Sequence, residues 1–246
     1  MKITIITTTK NSEKTVRDTI ESVIAQKDVE IEYILLDAMS TDSTLDIISS
    51  YNKHISKLII EEDKGFYYAI NKGISMASGD LIAILNSDDV YAYDHCLKDV
   101  VEVFQNKRTE LVYADIHIVD AKDTTRVVRR WISKQFNRRK ISFGWCPPHP
   151  AFFAKREIYN RLGAFDTDYK IAADYDIMLR FMLNTKNDPE YLNKVIVNMR
   201  NGGLSSNKAF NLINKLLEDR SIIKKHNLPG IITLLGKRLI KIKQFL

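Results

Sequence analysis

Asp88 and Asp89 follow Asn86-Ser87 at the end of an apolar run, Leu81-Ile82-Ala83-Ile84-Leu85. That run reads as a buried strand. Adjacent carboxylates at its carboxyl end repel each other and lose hydration, and a divalent cation relieves both costs. In an open α/β sheet, ligands bind outside the carboxyl ends of the strands. A metal there is well placed to hold a diphosphate. Taken alone, the pair also fits a solvated turn. Asp37 ends Ile31–Leu36 in the same way. A carboxylate in that crevice can accept from a base N–H or a ribose hydroxyl, and it can equally cap the next helix.

Other acids mark helix starts. Asp63 precedes a helix expected over Phe66–Ala77, where the electropositive terminus suits a cap or a nucleoside contact. Lys72, near the end of that helix, reads as an ordinary terminal cation. Asp174 opens an amphipathic helix through Leu183. It suits an N-cap, or a general base that takes a proton from an attacking hydroxyl. Arg180 is spaced to pair with Asp176. His149 sits in a stiff Pro147-Pro148-His149-Pro150 loop and reads as structural. The loop Asn201-Gly202-Gly203-Leu204-Ser205 suits a turn or a phosphate approach. Neither a Gly-x-Gly-x-x-Gly fingerprint nor a Walker lysine loop is present, which excludes dinucleotide and ATPase modes of binding.

The elements that position these residues alternate in type. Ile3–Thr7, Ile31–Leu36, Leu58–Ile60, Leu81–Leu85 and Leu111–Ala114 read as strands. Helices are expected over Glu13–Ala25 (with Ser12 as a cap), through Ser50 from one of several possible caps in Ser40-Thr41-Asp42-Ser43, over Phe66–Ala77 and over about His95–Gln105. Repeated β-α units predict a mostly parallel, doubly wound central sheet flanked by helices. From Ile116 the pattern shifts to hairpin strands, Ile116–Val119 and Arg126–Ile132, then a strand at Ala151–Ala154. The tail, Lys208–Leu246, reads as two helices broken at Pro229-Gly230.

The chain has 246 residues and 45% hydrophobic content, enough for one sizeable α/β core. Its charge is uneven. Residues 1–120 carry 12 Lys and Arg against 21 Asp and Glu, and the remainder carries 25 against 10. An acidic half and a basic half want different partners. In the tail, Ile231, Leu235, Leu239, Ile242 and Leu246 share one helical face, with Lys237, Arg238, Lys241 and Lys243 mainly off it. Such a helix either lies on an anionic membrane or docks on the domain. Cys96 and Cys146 are far apart and imply no disulfide framework. No signal-peptide pattern and no membrane-spanning run is expected.

In order along the chain, Ile5–Asn11, Tyr33–Thr44, Asp63-Lys64-Gly65 through Asn71-Lys72-Gly73, Ala77–Asp80 and Leu85–Asp89 carry a resemblance. His149–Phe153, Gly163–Asp166 and Ala172–Asp176 continue it. The set resembles the family 2 glycosyltransferases with the GT-A nucleotide-diphospho-sugar transferase fold, over about residues 1–206. The resemblance implies a GT-A domain over 1–206, with a nucleotide-sugar half (1–115) and an acceptor half (116–206), followed by a basic helical tail (207–246). It implies that Thr8, Asp37 and Asp63 hold the nucleobase. Asp88 would face the ribose, and Asp88-Asp89 would hold Mn²⁺ or Mg²⁺. Asp174 matches the base of inverting members. Many members have Glu-Asp where this chain has Ala173-Asp174, and a subgroup with Ala-Asp-Tyr-Asp is closer. The implied activity is metal-dependent inverting transfer from a nucleotide sugar, UDP-linked by default, to a saccharide or lipid-linked saccharide. The implied place is the cytoplasm or the cytoplasmic membrane face.

Three rivals remain at this point. A nucleotidyltransferase would need a basic Gly-rich loop where the chain has Thr7-Thr8-Thr9-Lys10-Asn11. A nucleic-acid-binding module could use Arg129, Arg130, Trp131, Phe136, Arg138 and Arg139, but leaves the acidic crevice unexplained. An inactive relative would serve only as a scaffold.

Overall fold

Buried residues in the first strand divide by parity. In β1 (Lys2–Thr9), Ile3 and Ile5 meet one core cluster and Ile6 meets the other. β2 (Glu30–Asp37) repeats this, with Tyr33 and Leu35 on one face and Ile34 and Leu36 on the other. So does β4 (Leu81–Ile84), through Leu81 and Ala83 against Ile82 and Ile84. A period of two with both parities apolar makes strands buried on both faces, as a parallel sheet requires. These strands pair in parallel with each other and with β3 (Lys57–Ile60), in the order β3-β2-β1-β4. The computed structural model describes residues 1–62, 65–202 and 209–243.

Helices cover both faces. On one side lie α1 (Val16–Ile24), α2 (Thr44–Ser49) and α4 (Cys96–Asn106). On the other lie α3 (Phe66–Met76), α6 (Arg156–Leu162), α7 (Ala173–Asn184) and α8 (Ala209–Lys225). Gly73 lets α3 sit close to the sheet, since a Cβ there would stand 2.7 Å from Ile6 Cγ2. The helix expected from Glu13 begins instead at Val16, and Ser12 supplies no side-chain cap. Its hydroxyl is taken up by the Lys10 carbonyl and by Ser87.

The second half of the sheet is mixed. The two short strands expected over 111–119 are one strand, β6 (Leu111–Val119). It pairs antiparallel with β7 (Val127–Trp131) and β8 (Phe152–Lys155), and β8 pairs antiparallel with β4. Two strands absent from the sequence reading complete the order β4-β8-β6-β9-β5: β5 (Val90–Tyr91) and β9 (Glu190–Arg200). β5 has only two residues, and β9 carries Glu190, Asn193, Lys194 and Asn198, which mask its alternation. A short helix, α5 (Arg138–Ile141), lies between β7 and β8.

The tail forms a helical hairpin of α8 and α9 (Gly230–Lys243). Ile222 and Ile223 are buried in the main core, so α8 docks on the domain. α9 docks through Thr233, whose hydroxyl donates to the Ser142 carbonyl at 2.7 Å, and through Gly236. A Cβ at Gly236 would overlap the Phe143 carbonyl. Among the described residues no helix is long and apolar enough to cross a membrane. Both cysteines are free.

Replacing Gly236 with Ala in an exposed helix normally gains about 1 kcal/mol. Here steric overlap opposes that gain, and Gly236→Ala is expected to cost about 1–3 kcal/mol. Urea unfolding measures it; a stabilised variant would mean that α9 is not seated on the 143 turn.

Candidate active site

Register places the acids. Thr9 pairs with Asp37 across β1 and β2, and Ile6 pairs with Ile84 across β1 and β4. The ends of the three strands therefore lie at one sheet edge. Their following loops are tied together. The Asn11 side chain accepts from the Thr41 N–H at 2.9 Å, and the Ser12 and Ser87 hydroxyls meet at 3.0 Å.

Asp37 is nearly fully buried. Its carboxylate accepts from the Thr9 hydroxyl (2.7 Å), the Ser40 N–H (2.7 Å) and the Ser40 hydroxyl (2.6 Å). Three donors satisfy the carboxylate oxygens away from water. A pocket opens beside it, lined by Leu36, Asp37, Ala38, Glu61 and Ala69. Asp88 and Asp174 stand outside that lining. Thr8 is half-buried on the strand face opposite Thr9, so the hydroxyl that reaches Asp37 belongs to Thr9. Lys72 pairs with Glu61 at the rim of the pocket, a structural use of its charge. Asp63 lies outside the described residues, as do Gly203, Leu204 and Ser205 of the glycine loop.

Asp88 and Asp89 have different surroundings. Asp89 is fully buried and accepts from Asn86 Nδ2 at 2.9 Å and from the Arg200 N–H at 3.2 Å. Burial and the neighbouring Asp88 push its carboxyl well up. Asp88 is half-buried. Burial pushes it up too, against its own backbone N–H and the charge of Arg200. Arg200, at the end of β9, donates to the Asp88 carbonyl at 2.8 Å and pairs with Asp18. The sequence reading missed Arg200 because 112 positions separate it from Asp88. Among the described residues no three acids, histidines or cysteines converge as a metal cage. Half-buried Asp88 is the acid of this turn that could offer an oxygen to a divalent cation.

Asp174 occupies the first turn of α7 and is half-buried. Its Oδ1 accepts the Tyr175 N–H at 2.8 Å. Its charge reaches Tyr67 on α3 and His149, which leads into β8 beyond the carboxyl end of β4. Burial pushes the His149 imidazole down, with Asp174 opposing, and its ring meets Phe165 edge-on. Ala173 is fully buried, so a Glu at that position would put a carboxylate into the core.

The segment before α7 is held from two sides. Glu218 on α8 accepts the N–H groups of Lys170 (2.9 Å), Ile171 (3.0 Å) and Ala172 (2.8 Å). Tyr67 donates to the Ile171 carbonyl at 3.0 Å. One turn on, fully buried Asp176 meets His226 at 2.9 Å, Lys225 at 3.0 Å and Arg180 at 3.5 Å. Burial opposes its charge, but hydrogen bonds from His226 and Lys225 hold its carboxyl below the usual range. The spacing of Asp176 and Arg180 gave that pair, whereas Glu218, His226 and Lys225 carry no local signal.

The arginine-rich stretch does not interleave with aromatic rings on one surface. Phe136 packs edge-on against Trp145, Trp131 packs on the core, and Arg138 donates to the Leu183 carbonyl at 2.9 Å.

The family model described as Glycosyl transferase family 2 matches residues 4–163. The chain belongs to that family. It is 27% identical over 192 residues to a PGL/p-HBAD biosynthesis glycosyltransferase of Mycobacterium bovis, covering 76% of this chain and 72% of the relative. It is 30% identical over 185 residues to an uncharacterized glycosyltransferase of Mycobacterium tuberculosis, covering 74% and 69%. Its fold is similar to that of S. aureus TarS 1-349 in complex with UDP-GlcNAc, with a TM-score of 0.73 at 21% identity, over 98% of this chain and 70% of that one. It spans 43% of the longer TarS chain. The mannosyltransferase PcManGT from Pyrobaculum calidifontis, in complex with GDP-Man and Mn²⁺, aligns with a TM-score of 0.66 at 17% identity, over 97% and 69%. The protein is a glycosyltransferase with the GT-A fold.

Two outcomes follow from the α7–α8 contacts. Glu218→Ala leaves three N–H groups without their acceptor and is expected to lower kcat about 10-fold or more with little change in donor KM. Glu218→Gln keeps an acceptor oxygen and should recover part of that loss. Asp176→Asn strips the acid from a buried cationic cluster and is expected to cost about 3–5 kcal/mol. Because the Asp176 carboxyl is held low in the fold, its stabilisation is present above the ordinary carboxylate range and fades as pH falls through the folded value. The variant's denaturation curve should lose that acid limb.

Proposed function

We propose that this glycosyltransferase moves a sugar, with inversion, from a nucleoside-diphosphate sugar to a hydroxyl of a saccharide or lipid-linked saccharide. A UDP-sugar is the favoured donor, and Mn²⁺ or Mg²⁺ the favoured ion. The observation that carries this reading is Asp174. It is a half-buried, oriented carboxylate at the start of α7, and its charge reaches His149, which leads into β8.

Support for the donor comes from the pocket beside Asp37 and from the neighbours, seen with UDP-GlcNAc and with GDP-Man and Mn²⁺. In this reading Thr8, Asp37 and Asp63 surround the base, with Thr9 and Ser40 fixing the Asp37 carboxylate. Asp88 faces the ribose and diphosphate and is the residue that would hold the ion. When bound, the ion takes up charge on the departing nucleoside diphosphate. The sequence assigns Asp89 to the ion as well; its two oxygens meet Asn86 and Arg200, which suits it to fixing the turn that presents Asp88.

Asp174 accepts the proton of the acceptor hydroxyl. Its Oδ1 is oriented by the Tyr175 N–H, and Oδ2 takes the proton. The acceptor oxygen bonds to the anomeric carbon as the bond to the diphosphate oxygen breaks on the opposite face. One displacement inverts that carbon. A cell-surface saccharide or glycolipid is the acceptor class we favour, and a relative is named for PGL/p-HBAD biosynthesis.

A thermal-shift panel of UDP, GDP and dTDP with and without Mn²⁺ tests the donor side. At 100 times Kd, a bound nucleotide adds about 2.7 kcal/mol, or about 5–10 °C for a chain of this size. UDP with Mn²⁺ should give the largest shift, and Asp88→Asn should remove the part that needs the ion. Asp174→Asn should keep the nucleotide shift and lose about 10²–10⁴ in transfer rate. NMR of the product should show the opposite anomer to the donor; a retained configuration rejects single displacement.

A further inference from the structure

The tail presents two apolar faces on one helix, and only one is covered. α9 docks through Thr233 and Gly236, with Leu234 and Ile240 packed against the core. Ile231, Leu235 and Leu239, spaced by four, lie on the other side and are 77%, 56% and 60% exposed. Ile232 joins them at 55%. On α8, Ile213 and Leu217 are each 60% exposed. The Lys237–Asp219 pair, at 2.6 Å, joins the two helices and puts Leu217 and Leu239 at about the same level along the hairpin. Large side chains exposed together in this way mark a contact surface.

The exposed charges that the two helices themselves set beside this face are cationic. Arg220 and Lys224 continue the helical line of Ile213 and Leu217, and both are exposed. Arg238 is exposed beside Leu239. The acids of residues 209–243 are Glu218 and Asp219, and both point inward. Glu218 takes the backbone of residues 170–172, and Asp219 takes Lys237. An apolar strip edged by cations is complementary to an anionic bilayer.

We infer that the outer face of the α8–α9 hairpin seats the protein on an anionic lipid surface. Glu218 joins the hairpin to the segment before Asp174, and Lys237 Nζ lies 3.3 Å from the centre of the Tyr175 ring. The hairpin that carries the seated face is therefore tied, through its inner side, to the segment before Asp174. This narrows the acceptor to a sugar chain anchored in the same bilayer, a step that rests on the proposed transfer; the seating itself does not.

The test is co-sedimentation of the full chain with vesicles of phosphatidylcholine alone or with 30% phosphatidylglycerol, without donor. Binding is expected to the anionic vesicles and to fall at least about tenfold in Leu235→Asp/Leu239→Asp, with melting temperature and nucleotide shift unchanged. Arg220→Glu/Lys224→Glu/Arg238→Glu should also release the protein, and it decides the matter if the leucine variant misfolds. No binding to either vesicle, or binding untouched by the variants, overturns the inference. So does a self-associated state in light scattering that the leucine variant abolishes without vesicle binding, since a second copy would then cover the face. Failure of the nucleotide shift alone would reject the proposed donor and leave the seating standing.

Discussion

Thr9 lies opposite Asp37, and the Thr9 hydroxyl donates to the Asp37 carboxylate. That bond joins the ends of β1 and β2 at the level where the crevice opens. β1 also pairs with β4, so the turn carrying Asp88 is brought to the same edge. A slip of one residue between β1 and β2 would turn Asp37 to the other face and the apolar residues of β2 with it. The side chains packed on both faces of β1, β2 and β4 would have to repack in such a slip, and the Thr9–Asp37 bond would be lost. The site is thus specified by core packing, and the polar ties among Asn11, Ser12, Thr41 and Ser87 refine a convergence the sheet already imposes.

The segment before α7 has little structure of its own. It is ordered by Glu218 from α8 and Tyr67 from α3, two elements that belong to different parts of the chain. Asp176, one turn further on, is clamped by Lys225 and His226 at the end of α8. The tail is therefore packed into the segment that carries Asp174. This also accounts for where the acids of the tail went. Each offsets an N–H or ammonium that burial would otherwise leave costly.

Much of this was legible where one face or one strand decided the outcome. The strands β1 to β4 announced themselves by continuous apolar runs, and the acids at their ends by position. The Asp176–Arg180 pair was legible because helical spacing is local. What escaped needed a partner far along the chain. Arg200 meets Asp88 only because β9 returns beside β5. β9 itself was hidden by its polar residues and a partner strand two residues long. Between Thr8 and Thr9, parity alone separates the residue that touches Asp37 from its neighbour, and a one-residue distinction needs the register to be known. The tail helices were visible from their periodicity. Which face would dock was not, because the docking face uses a glycine and a threonine in place of a stripe of leucines.

Asp88 and Asp89 show how adjacency produces opposite fates. The pair sits in a turn closed by the Asp89 N–H on the Asn86 carbonyl at 3.1 Å, and that turn buries Asp89 while leaving Asp88 half-buried. The inward one survives only with donors, and Asn86 and the Arg200 N–H provide them. Those donors also pin the turn, so the outward acid is held at a fixed place. The Thr19 hydroxyl adds a third tether through the Asp89 carbonyl at 2.8 Å. A lone Asp at position 88 would have the same charge toward solvent but no buried anchor beside it. The position of the half-buried carboxylate is set by the burial of the other.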